Sequence, residues 1–304
     1  DVMARMKTSV GDKTALLGLV CGPFTLASHL RGTEIFMDMM MQPDVLTKLM
    51  DYTTRVVKTM SDYYIEAGMD VIAVVDPLVS QIGPKHFEQF MHGPFSAVFD
   101  NVREQGRFSS FFVCGDATKN IEPMCKTNPD SICVDENVNL QAAKEITDRY
   151  NVTIGGNIPL TTVMLMGTQQ DNMKFALDLT ESMGAGNFIL APGCDMPYDT
   201  PPENTVGVVE ALRSPETARK MLENYTADDI FDIEVEVPNY ADLSHALIEV
   251  YTLDSDTCAA CAYMWGAVKR AKDDLGTDVE IVEYKATSPE NIARLKKVGV
   301  TQLP

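Results

Sequence analysis

Between residues 15 and 225, short apolar runs alternate with longer stretches of helical period. The runs at 16–21, 71–76, 108–114, 131–135, 152–156 and 187–191 are predicted strands. Most are apolar throughout, as strands buried on both faces of a parallel sheet must be. Segments 43–67, 83–104 and 139–150 repeat apolar positions at helical spacing, and the first opens on Pro43 and stops before Gly68. Repeated strand–helix units predict an α/β fold, a (β/α)8-type barrel or a doubly wound sheet. No Gly-x-Gly-x-x-Gly follows a strand, which weighs against the dinucleotide-binding version. A closed barrel takes eight strands, so the six visible here predict that about two N-terminal units lie outside this chain.

The pattern breaks at 226–243, where Thr226-Ala227-Asp228-Asp229, the acidic run 232–236 and Pro238-Asn239 read as an acidic linker. A second unit is predicted over 244–304: a strand at 246–253, Cys258-x-x-Cys261, a helix to 275, a strand at 279–284 and a helix over Pro289–Val298. The first domain is then 1–225.

Composition narrows the function classes. Hydrophobic residues make up 45% of the 304, enough for a large core. The net charge of −19 is the wrong sign for a phosphate-backbone binder, so no nucleic-acid partner is expected. No apolar run reaches the roughly 18 residues of a membrane helix, so no membrane partner is expected. Seven cysteines in a chain this long form no dense disulfide framework, which fits a reducing cytoplasm. There, cysteines of interest are metal ligands or redox thiols.

Cys114 ends the strand in Phe111-Phe112-Val113-Cys114-Gly115-Asp116, and Cys194 follows another in Leu190-Ala191-Pro192-Gly193-Cys194. The C-terminal strand ends of a barrel carry its active site. Two thiols there can share a zinc ion. Spacing alone favours reading them as small buried core residues, since a separation of this length is not a local metal motif.

Family resemblance adds a direction. Gly22-Pro23-Phe24-Thr25-Leu26-Ala27, Asp76 followed by Pro84-x-x-Phe87-x-x-Phe90, Gly156-Asn157-Ile158 with Gly167-Thr168, and Cys194 followed by Thr200-Pro201-Pro202-Glu203-Asn204 occur in order. Together they resemble the uroporphyrinogen decarboxylase superfamily over roughly residues 10–215. Its decarboxylases have His where Cys194 stands and Tyr where His29 stands. Cys194 with Cys114-Gly115-Asp116 resembles instead the branch of methylcobamide:coenzyme M and chloromethane methyltransferases.

That resemblance implies a zinc-activated acceptor thiol, a methylated corrinoid carried by a partner protein, and a small-molecule methyl acceptor. No corrinoid-binding Asp-x-His-x-x-Gly occurs here, consistent with a corrinoid protein in trans. The branch binds zinc through His-x-Cys…Cys, but Phe112 stands where the His belongs. Residues i and i+2 of a strand share a face, so Phe112 takes a ligand position it cannot serve. His29, Asp76 and Asp116 are the remaining candidates for a third ligand; His29 and Asp76 also stand as catalytic candidates, Asp116 as a metal ligand with Cys114 and Cys194. Each has a plainer reading: a pocket histidine, an acceptor for strand-end amides, a turn cap. Two other functions stay open: a porphyrinogen decarboxylase, and a zinc-free barrel acting as a binding or redox-coupled scaffold.

The second unit is similar to a thioredoxin-like domain present in part. Cys258 precedes a helix and Cys261 lies one turn inside it, so the first sulfur is expected to be the more exposed thiol of lower pKa. Leu303-Pro304 resembles the cis-proline of that family. The methionines of 37–41 are expected to fill core gaps, and Trp265 to be a packing residue.

Overall fold

The computed structural model describes residues 1–227, 232–276, 278–300 and 303. Asp228, Asp229 and Pro304 lie outside the described residues.

Six apolar segments form one sheet: β1 (Leu17–Cys21), β2 (Val71–Val75), β3 (Phe108–Val113), β4 (Ser131–Val134), β5 (Thr153–Ile158) and β6 (Phe188–Pro192). The strands stand in sequence order, and the pairs from β1 to β5 are parallel, with Leu17 against Val71 and Val71 against Phe108 in register. A doubly wound sheet would reverse order at a switch point. An unbroken order with intervening helices is barrel-type topology, as the sequence predicts.

The chain divides into two compact units, residues 1–156 with 186–189, and residues 157–185 with 190–304. In the first, Phe111 of β3 points into the helical layer. It stacks on Phe95 at a centroid distance of 4.3 Å and lies 5.4 Å from Phe99, all three fully buried. Alternation along β3 therefore turns Ser110, Phe112 and Cys114 to the opposite face. The predicted helix at 83–104 is not continuous: Pro84–His86 is helical, Phe87–Met91 is a π-turn, and the α-helix resumes at His92–Glu104. Pro94 has no N–H to give to a carbonyl one turn back, and the wider turn absorbs the defect.

The methionine expectation is overturned. Met39 is buried at 7% exposure, but Met37, Met40 and Met41 are 62%, 67% and 73% exposed. The helix Ile35–Met41 presents Ile35, Asp38 and Met39 inward, and its period carries the other three outward.

In the second unit, β7 (Ala246–Thr252) and β8 (Val279–Lys285) pair in parallel, joined by the helix Ala259–Leu275. That helix ends at Gly276 in the left-handed conformation (φ 57°), and Ser288 caps Pro289–Val298. Ala286, Ile292 and Leu295 form a small core with Met166, Tyr251 and Leu303 packed against it. The acidic segment has no regular structure from residue 232 to 239. It is held to the last helix by Lys297 Nζ donating to the Val235 carbonyl (2.6 Å) and Arg294 Nη2 to that of Glu236 (2.6 Å).

Candidate functional site

In the first unit, the C-terminal ends of β2, β3 and β4 carry Asp76, Cys114 and Asp135. Asp76 is fully buried. It accepts from the Phe24 amide (2.9 Å), the Thr25 amide (3.1 Å) and the Thr25 hydroxyl (2.6 Å), so it anchors the first turn of the helix Pro23–Arg31. Burial pushes its carboxyl up to about 7, against the pull of those three donors. Gly22 must lack a side chain here, because a Cβ would lie 2.3 Å from Asp76 Oδ2.

Cys114 is buried and is not a free thiol. The next residue, Gly115, has φ 88°, the left-handed region. Its amide donates to Asp135, which also accepts from the Asn137 amide at 2.9 Å. Burial pushes the Asp135 carboxyl up, and Asp116 adds to the shift. Asp135 was not among the residues singled out from sequence, although its place at a strand end matches that of Asp76. Asp116 is half-buried and accepts from the Thr118 amide at 3.0 Å, the geometry of a turn cap. His29 is exposed in the last turn of its helix. Phe112 is half-buried on the face of Cys114.

In the second unit, Cys194 is half-buried just past β6, and it too is not free. The preceding Gly193 amide donates to the Ile158 carbonyl at 3.0 Å. Cys258 is the N-cap of its helix, and its sulfur accepts from the Cys261 amide at 3.3 Å. Cys261 is buried and accepts from the Leu253 amide at 3.2 Å. Cys258 is the more exposed of the two, as expected. Cys261 is held below its ordinary range, lowered first by its hydrogen bond with Cys258 and then by backbone amides, against burial.

A catalytic zinc takes three protein donors. Among the described residues, no three His, Cys, Asp or Glu side chains come together to hold a metal ion. Among them, too, no helix is long and apolar enough to cross a membrane.

A parallel sheet in sequence order, with acids and a cysteine on its C-terminal strand ends, defines an α/β protein of barrel type. The family profile described as uroporphyrinogen decarboxylase (URO-D) matches residues 1–215, and the chain belongs to that family. It is 26% identical over 206 residues to the methylcobamide:CoM methyltransferase MtbA of Methanosarcina acetivorans, covering 67% of this chain and 59% of that protein. It is 28% identical over 214 residues to the methylcobamide:CoM methyltransferase MtaA of Methanosarcina barkeri, covering 68% and 60%. A uroporphyrinogen decarboxylase of Prochlorococcus marinus is 27% identical over 216 residues, covering 67% and 60%. The chain thus spans about 60% of the length of the curated relatives it matches. A solved methyltransferase from Methanosarcina mazei shares the fold, with a TM-score of 0.64 at 23% identity over 70% of this chain and 63% of that one.

Proposed function

We propose that the chain is the greater part of a corrinoid-dependent methyltransferase, moving a methyl group between a methylated corrinoid protein and a thiol or similar small-molecule acceptor. The observation that carries this reading is a cysteine at each of positions 114 and 194, just past two sheet strands of a URO-D family member. Similarity to methylcobamide:CoM methyltransferases supports it. Identity to decarboxylases is no lower, so the residues must discriminate. A net charge of −19 suits a polycarboxylate substrate poorly.

In the reaction, the acceptor thiolate attacks the methyl carbon, a C–S bond forms, and the leaving cobalt keeps the electron pair of the broken bond. The corrinoid is a substrate delivered in trans. The protein's part is to orient the two reactants and exclude water. Asp76, with its oxygens committed to the Phe24 and Thr25 donors, holds the loop after β1 rather than the reacting atoms. His29 keeps a place in the proposal as an exposed group that an incoming partner can meet.

Zinc would lower the pKa of an acceptor thiol. Once reduced, Cys114 and Cys194 are the proposed donors, with Asp116 as the candidate third. Because the thiols alone are one donor short of a catalytic zinc site, no step here is routed through the metal. The proposal extends to a cytoplasmic setting, to 226–243 as a linker, and to 244–304 as part of a thioredoxin-like domain whose Cys258 and Cys261 cycle between dithiol and disulfide.

The test supplies methylcobalamin and a panel of small thiols, and follows loss of the Co–C absorbance with thioether formation. Demethylation that depends on protein and thiol supports the reading. Its absence, with carboxyl loss from uroporphyrinogen instead, would establish the decarboxylase.

A further inference from the structure

The loop that delivers Cys258 is held from the neighbouring strand. Glu283 and Lys285 lie two apart on β8, so they share a face, opposite Val250 and Thr252 in register. From that face Lys285 pairs with Asp254 at 2.7 Å and with Asp256. Glu283 accepts from the Thr252 hydroxyl (2.6 Å), the Ser255 hydroxyl (2.8 Å) and the Ser255 amide (3.3 Å). The Asp254 carbonyl then takes the Cys258 amide at 2.8 Å. Residues 254, 255 and 256 are thus each bound by one of two β8 side chains.

The two clasps differ in charge. Lys285 is matched by two aspartates, while among the described residues the hydrogen bonds given to Glu283 come from the neutral groups of Thr252 and Ser255. Glu283 is anchored on Ser255, two residues from Leu253, whose amide binds the buried Cys261 sulfur. A carboxylate fixed there repels a thiolate at Cys261 in surroundings that screen it poorly.

We propose that Glu283 makes the Cys258/Cys261 pair a stronger reductant, by destabilising the thiolate of the reduced state relative to the disulfide. This rests on the redox reading of the pair. In that reaction Cys258 thiolate attacks an external disulfide and expels one thiolate. Cys261 then loses its proton and attacks Cys258, the internal disulfide forms, and the second thiolate leaves. Two electrons pass to the external disulfide, which ends as two thiols. Only the reduced side carries a charge that Glu283 can oppose. The Cys261 thiol is held below its ordinary range overall, first by its hydrogen bond with Cys258, and Glu283 is the smallest of the influences, acting upward against that net lowering.

The experiment equilibrates the full chain in glutathione buffers of graded ratio at pH 8 and reads the Cys258–Cys261 disulfide by alkylation and peptide mass. Glu283→Gln keeps the shape and an acceptor for Ser255 but removes the charge. It should move the equilibrium about tenfold toward the dithiol, which for this two-electron couple is about 30 mV more positive. Glu283→Asp keeps the charge and should stay within about threefold of the unaltered protein. An unchanged or more negative potential in Glu283→Gln overturns the proposal. An equal shift in Glu283→Asp also overturns it, by tracing the effect to loop geometry. Failure of the unaltered chain to form this disulfide at any ratio rejects the redox reading, and the proposal with it, without touching methyl transfer.

Discussion

Asp76 is a charged group placed where charge is costly. Three donors stabilise its anion, yet burial prevails and its carboxyl titrates near 7 against an ordinary 3.8. The folded protein therefore binds this proton more tightly than the unfolded chain does. Its contribution to stability is complete below about pH 4, declines as pH rises, and is gone above about pH 7. Asp76→Asn should flatten that decline, which spans roughly 4 kcal/mol at most. Urea unfolding of both proteins at pH 5 and pH 8 measures it; parallel pH profiles would contradict the assignment. Gly22→Ala should destabilise by about 1–3 kcal/mol through overpacking against the same carboxylate, read as a lowered urea midpoint. Neither effect was visible in the sequence. Asp76 drew notice there as a family residue, but its partners at 24 and 25 come from another strand's loop. Asp135 escaped notice for a related reason: its partner is an amide oriented by the positive φ of Gly115, and chain order alone does not reveal that conformation.

At the scale of elements, the apolar runs were informative because a strand buried on both faces has few alternatives. All six predicted strands form, with ends shifted by a residue or two. The π-turn at Phe87–Met91 needed Pro94 to be weighed against an otherwise helical pattern. The methionines of 37–41 misled because a helix of seven residues, Ile35–Met41, buries only one narrow face. The face shared by Phe112 and Cys114 follows directly from strand alternation, and it carries a prediction. Phe112→His should raise zinc affinity by restoring a nitrogen donor beside Cys114. Competitive zinc titration of the reduced proteins reads the change, and an affinity equal to or weaker than that of the parent would show that histidine completes no site there. The second pair of strands was equally legible, since Gly276 and Pro289 punctuate it as helix end and helix start.

For the whole molecule, the two proposed chemistries can be separated. If the redox pair protects the thiols at 114 and 194, mild oxidation followed by thiol recovery should be slower in Cys258→Ser than in the parent, read by alkylation of each cysteine. Equal recovery would leave the pair serving another disulfide. Methyl transfer by the reduced protein should be unaffected by that substitution. Sheet order has a further consequence, for synthesis on the ribosome. The strand pairs from β1 to β5 each join strands consecutive along the chain, so none of these strands waits beyond the next one translated for a partner. Each closure spans only the helix and turns between two consecutive strands, and its cost grows slowly with length. The nascent chain can add one strand and its helix at a time behind the tunnel exit, in the order of translation, with the newest edge and the outer edge of β1 open to mispairing.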